Sequence, residues 1–267
     1  MESGLTTGER TEEDPLMAGA GTAGRALTER ILRVADQAGY RAALIDATDG
    51  SVTAWPWFAR TVRAAAAGLT RRGLAAGDTA GVFVRDAAEA AIAVNAIRAA
   101  GAAACLIRSD ASPADVAARL NDCGARLLIT SAPLAELAAE GADRSRVRQV
   151  ISFGEAAGTT PFGSLIGSGP ADGPAAVVEP GRPEEGNGQA RQYRLPHKDV
   201  VVAGPPCGDE QAYTTLLDLT LVTGATLVAA PVPLVAAAMR EYEGTAAIVP
   251  RGSDVPDVAA SLVFPVG

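Results

Sequence analysis

Short apolar runs alternate with stretches of helical spacing along most of this chain, and that alternation limits its possible folds more than any other feature. Residues 26–37 carry Leu27, Ile31 and Val34 at the spacing of one helix face. Residues 42–47 and 51–55 read as two strands around the turn Thr48-Asp49-Gly50. Pro56 suits the first turn of a helix that reaches Arg72, and Gly73 can end it. A strand over 79–84 follows. Asp86 then caps a helix that runs through Ala99 to Gly101. Residues 102–107 are another apolar run, and Ser112-Pro113 opens a helix that stops at Gly124. A strand over 126–130, a helix over 133–140 and a strand over 147–153 continue the pattern. Further on, 198–203 and 211–222 read as helical, 226–230 as a strand, 234–243 as a helix and 246–249 as a strand. This order predicts an α/β fold, a layered parallel sheet with helices on both faces.

Composition shifts divide the chain. Residues 1–24 read as a flexible tail and 25–166 as an α/β subdomain. Gly, Pro and charged residues then accumulate, and 167–192 reads as a long loop, a length usually tied to function or disorder. Residues 193–252 form a second, shortened α/β portion, and 253–267 a Pro-rich tail.

Charge and cysteine use exclude several classes. The net charge of -8 argues against nucleic acid, which needs clustered Lys and Arg. Lys198 is the only lysine. Cys105, Cys123 and Cys207 form no CxxC pair, so a zinc or redox motif is not expected, and reduced intracellular thiols are. No run approaches the ~18 apolar residues of a membrane span. The polar, acidic start is no secretory signal. A cytoplasmic protein follows, with no membrane partner. Gly19-Ala20-Gly21-Thr22-Ala23-Gly24 matches GxGxxG, but Glu12-Glu13-Asp14-Pro15 precedes it. A dinucleotide turn needs a strand there, so the motif reads as fortuitous.

Several phrases, in order, resemble the AMP-forming adenylating enzymes: acyl-CoA and aryl-CoA synthetases and the adenylation domains of peptide synthetases. They are WFARTVRAAAAGLTRRGLAAGD over 57–78, the run 79–107, NDCGARLLIT over 121–130, VISFGEAAGTTPFGSLI over 150–166, and TGATLV over 223–228. The resemblance covers most of residues 25–252. It implies the N-terminal subdomains of such an enzyme and a phosphate loop of the form Ser/Thr-Ser-Gly-Thr-Thr-Gly-x-Pro-Lys-Gly, followed by a Thr-His pair.

The chain departs from that loop. Counting back from His197, the loop falls on residues 183–192, PEEGNGQARQ. Glu185 stands at the first glycine, Gly186 and Asn187 at the threonines, Ala190 at the proline and Arg191 at the lysine. Gly188 and Arg191 are the remnant cofactor-binding candidates. A phosphate chain needs backbone amides, hydroxyls and a cation. Glu184 and Glu185 would instead repel it, by about 1 kcal/mol per charge pair near 4 Å in water. Arg191 replaces a compact ammonium with a planar fork. The family's adenine-binding, ribose-binding, hinge and C-terminal lysine motifs are expected beyond the end of this sequence. The strand with the family's acyl-pocket motif is also expected to be missing, because few residues separate Ala203 from the helix near Tyr213.

The resulting expectation is a truncated, degenerate homologue of an acyl- or aryl-CoA ligase, a pseudoenzyme that binds a ligand or protein. The alternative is half of a split ligase, active with a partner that supplies the remaining motifs. ATP and Mg are expected as cofactors only under that ligase reading. No catalytic residue and no metal site is assigned. His197 lacks a positioned partner, Cys207 an activating cation, and Asp209-Glu210 and Glu241-Glu243 read as solvated faces or helix ends. Trp55 and Trp57 are expected to serve packing.

Overall fold

The computed structural model describes the backbone of residues 15–167, 200–250 and 262–266, and the side chains of 23–167 and 200–250. Its elements, in chain order, begin with helix α1 (Pro15–Gln37), strands β1 (Ala42–Asp46) and β2 (Val52–Ala54), and helix α2 (Trp55–Arg71). Next come β3 (Thr79–Phe83), α3 (Ala87–Ala99), β4 (Ala103–Ile107), α4 (Pro113–Asp122), β5 (Leu127–Ser131) and α5 (Ala135–Asp143). The first half closes with β6 (Gln149–Phe153), β7 (Thr160–Pro161) and α6 (Gly163–Ile166). The second comprises β8 (Val200–Ala203), α7 (Glu210–Val222), β9 (Thr226–Ala229), α8 (Val235–Glu241), β10 (Ala246–Pro250) and β11 (Leu262–Val266).

Two sheets result. One has the order β11-β10-β8-β9-β1-β2, parallel except for the β1–β2 hairpin at its edge. The other, β4-β3-β5-β6-β7, is parallel throughout. Alternate residues of each strand face opposite layers. On β9, Leu227 and Ala229 pack into the central core with α1, α2, α3 and α7, while Val228, and Ala230 just past the strand, join Val235, Ala238 and Met239 on the α8 side. On β5, Leu127 and Ile129 face the same central core, and Leu128 faces α4 and α5 through Leu120 and Ala138. The molecule is therefore five layers deep: α8, a sheet, four helices, a sheet, then α4 and α5.

The caps follow local chemistry. The Asp86 side chain accepts the Glu89 N–H at 2.8 Å, starting α3. Ser112 and Asp115 form a reciprocal capping box on α4. Gly73 follows α2 with φ of +93°, a left-handed conformation that favours glycine. Trp55 is fully buried and meets Phe58 edge-on, and the Arg60 guanidinium lies over the Trp57 ring.

Five sequence expectations need correction. Residues 198–203 do not end in a helix: Val200–Ala203 is β8, hydrogen-bonded between β9 and β10. Three consecutive β-branched valines, with Val200 and Val202 buried on one face and Val201 partly buried on the other, suit a central parallel strand. The same strand stands just before α7, where the sequence reading left none. Helix α1 begins at Pro15, inside the expected tail, and Gly19, Gly21 and Gly24 lie within it. Those glycines form no strand-to-helix turn. The expected C-terminal tail contains β11. Finally, β1 and β2, read as part of 25–166, belong to the sheet built from the later strands.

Two contacts make this layering testable. A Cβ added at Gly68 would lie 2.3 Å from the Leu165 carbonyl oxygen, so α2 and α6 can meet only at glycine. Gly68→Ala is expected to cost about 1–3 kcal/mol by overpacking, read as a lower urea midpoint. In the central layer Arg98 of α3 donates to both Asp218 carboxylate oxygens of α7, at 2.7 and 2.8 Å. Burial raises the Asp218 pKa although Arg98 opposes it. Asp218→Ala strands a desolvated guanidinium and is expected to cost about 3 kcal/mol in the same assay.

Candidate functional site

The carboxyl ends of both sheets converge on a cleft of about 630 Å³. Asp46 comes from the end of β1, Arg85 from just past β3, Ser131 from the end of β5, and Pro205 from just past β8. Ser109, past β4, ties the two sheets together: its N–H and its hydroxyl both donate to the Pro206 carbonyl, each at 2.9 Å. The Tyr213 hydroxyl donates to the Gly204 carbonyl at 2.7 Å, fixing the turn between β8 and α7. Open α/β sheets bind ligands at such a crevice, where loops leave the strand ends.

Its walls are acidic. Asp46, Asp49, Asp86 and Glu89 line it, and Arg85 is the sole cation among the described lining residues. The α3 cap explains two of these acids, because Asp86 at the cap position places Glu89 one turn into the helix. Ser131 connects them to β5. Its hydroxyl donates to Glu89 Oε2 and accepts the Arg85 N–H at 2.7 Å. Burial, then the neighbouring Asp86 charge, pushes the Glu89 carboxyl up to about 8, although Ser131 opposes the shift. Burial also raises Asp86. Near neutral pH Glu89 thus holds a proton.

The described lining does not fit a nucleotide triphosphate. Three further carboxyl groups, of Asp46, Asp49 and Asp86, face one guanidinium, and the Ser131 hydroxyl is engaged by Glu89 and Arg85. Gly188, Arg191, Glu184, Glu185 and His197 lie outside the described residues, so the structure does not place the degenerate loop against this cleft. Among the described residues no group of three or more His, Cys, Asp or Glu side chains is arranged to hold a metal ion, and no helix is long and apolar enough to cross a membrane.

The remaining candidates have structural places. Asp209 caps α7 through the Ala212 N–H at 2.9 Å, and Glu210 pairs with Arg119 at 2.6 Å. Cys207 is half-buried against the core, and burial pushes its thiol up to about 11. Sequence reasoning missed one proximity. Cys105 on β4 and Cys123 at the end of α4 are close enough for their thiols to influence each other, which raises the Cys105 thiol and lowers the Cys123 thiol to about 7, while the Cys123 Sγ donates to the Leu120 carbonyl at 3.7 Å. Their separation in sequence gave no sign of this. Asp86 was likewise legible only as a helix cap, and Glu89 and Ser131 were not singled out by the sequence.

A layered α/β domain with a crevice at the carboxyl ends of two sheets is a ligand-binding architecture. Comparison gives the family: the AMP-binding enzyme profile matches residues 31–184, and the chain belongs to that family. A long-chain-fatty-acid-CoA ligase from Archaeoglobus fulgidus has the same fold, with TM-score 0.66 and 18% identity over 85% of this chain and 52% of that one. The amide bond synthetase McbA from Marinactinospora thermotolerans gives 0.65 and 17% over 91% and 54%. A benzoate CoA ligase from Burkholderia xenovorans gives 0.63 and 19% over 83% and 49%. The chain therefore spans about half the length of these structures. No curated protein sequence matches it.

The Glu89 proton has a measurable consequence. Its folded pKa, about 8, lies above the ordinary 4.5, so the folded chain binds more protons between those values. The stabilisation is complete below 4.5 and is lost as pH rises through 8. Glu89→Gln keeps a neutral side chain of the same shape. Melting curves from pH 5 to 9 should show stability falling with pH in the wild type and a flatter profile in the variant. Parallel profiles would place the titration elsewhere.

Proposed function

We propose that this chain is a degenerate acyl- or aryl-CoA ligase homologue that does not adenylate a carboxylic acid by itself and instead serves as a binding protein. The acidity of the cleft carries this reading: Asp46, Asp49 and Asp86 against Arg85. Adenylation crowds the charges of a triphosphate and a second carboxylate into one site, and catalysis there rests on positioned positive groups. Each cleft carboxylate within about 4 Å of a phosphate oxygen opposes that by roughly 1 kcal/mol even in water. The sequence Glu184-Glu185 at the position matched to the phosphate loop adds to the same repulsion. A cytoplasmic location and the absence of nucleic-acid and membrane partners belong to this proposal.

The second reading is a ligase active only when completed, this chain spanning about half of each related structure. In it, another polypeptide supplies the missing motifs, and ATP and Mg bind only in the completed ligase. Gly188 and Arg191 would then be the remnant of its phosphate loop.

ATP–pyrophosphate exchange across a panel of fatty and aromatic acids tests both. The purified chain is expected to give no exchange above a protein-free control. Exchange by the chain alone overturns the first reading. Exchange that emerges only when a second polypeptide is added selects the other.

A further inference from the structure

At the opposite ends of β5 and β6 lies a different charge pattern. Arg126, Arg146 and Arg148 line a depression of about 450 Å³ together with Gly124. All three arginines are exposed. Arg126 immediately precedes β5 and Arg148 immediately precedes β6. Leu127 is in register with Gln149, and the Arg148 N–H donates to the Arg126 carbonyl at 2.9 Å. The two guanidinium-bearing residues are thus lateral neighbours on adjacent strands, an arrangement in which like charges destabilise the sheet.

Several other arginines among the described residues have carboxylates. Arg98 pairs with Asp218, Arg108 with Asp110, Arg119 with Glu210, and Arg144 with Glu140. Among the described residues Arg126, Arg146 and Arg148 enter no ion pair and donate no side-chain hydrogen bond. The sequence holds 31 acidic residues against 23 basic ones, so acids are not scarce. Three unneutralised guanidinium groups around one depression, in an acidic protein, call for an anion from outside.

We propose that Arg126, Arg146 and Arg148 form a binding site for a compact phosphate-class anion of about pyrophosphate size. Guanidinium forks match phosphate oxygens in pairs and hold them more strongly than neutral donors do. The compactness follows from the surrounding charge. With a net charge of -8, an extended polyanion reaching past the three arginines would meet repulsion. The site is separate from the cleft. Arg126 precedes the first residue of β5 and Ser131 is its last, which sets them roughly 16 Å apart along an extended strand.

The test is calorimetric titration of the full chain with pyrophosphate at moderate salt, with acetate as the control anion. The variants are Arg126→Gln, Arg146→Gln and Arg148→Gln, singly and together. Saturable pyrophosphate binding is expected in the wild type, weakened roughly tenfold by each single change and abolished by the triple one. Acetate should give no saturable heat. Circular dichroism establishes that each variant is folded, and the single variants decide the matter if the triple one is not. Absence of saturable binding by the wild type, undiminished binding in folded variants, or equal binding of acetate would overturn the proposal.

Discussion

Helix α3 has almost no side suited to water, and the layered architecture follows from covering it. Ala87, Ala90, Ala91, Ala93, Val94, Ala96 and Ile97 are all buried. A helix apolar around most of its circumference must lie inside the protein. Here the sheets cover it from two sides, and its small residues let other helices share the layer closely. Its polar side chains are satisfied locally: Asn95 accepts the Thr28 hydroxyl at 2.8 Å and donates to the Ala91 carbonyl at 2.9 Å. Arg98 near its end reaches Asp218.

The same helix sets the chemistry of the cleft. Its cap places Asp86, and with it Glu89, where the two sheets open toward each other. A capping carboxylate favours the helix N-terminus. A second acid one turn on, half-buried beside it, is tolerated because it keeps its proton and receives the Ser131 hydroxyl. Fold and site chemistry thus point in different directions. The layers are those of the AMP-binding family, while the described walls of the crevice carry four acidic side chains and one arginine.

Much of the fold was legible because its signals are local. The Thr48-Asp49-Gly50 hairpin, the Asp86 and Ser112 caps and the glycine after α2 each depend on neighbouring residues, and each stands where the sequence placed it. Val200-Val201-Val202 was misread because a short run without alternation carries no period, and its strand character comes from β9 and β10 on either side. The existence of two sheets was hidden for a related reason: strand partners far apart in sequence leave no local trace. The cleft was legible least. Asp46, Asp86 with Glu89, Ser109 and Ser131 come from four separate segments, and no spacing rule links one segment to another.

The return of the chain to its first sheet bears on how the protein is made. Leu44 pairs with Leu227, and the Thr226 hydroxyl donates to the Ala42 carbonyl across 184 residues. The sheet β4-β3-β5-β6-β7 can form from consecutive segments as they leave the ribosome. The hairpin β1–β2 cannot dock until β9 has been synthesised. At about 5–20 residues per second, that leaves one edge of β1 unpaired for roughly 10–40 s. Over that interval Leu44 and Ile45 face solvent without their partners, and a strand in that state is a template for pairing with another chain. Completing the first sheet is thus the slow, aggregation-exposed event in the life of this fold.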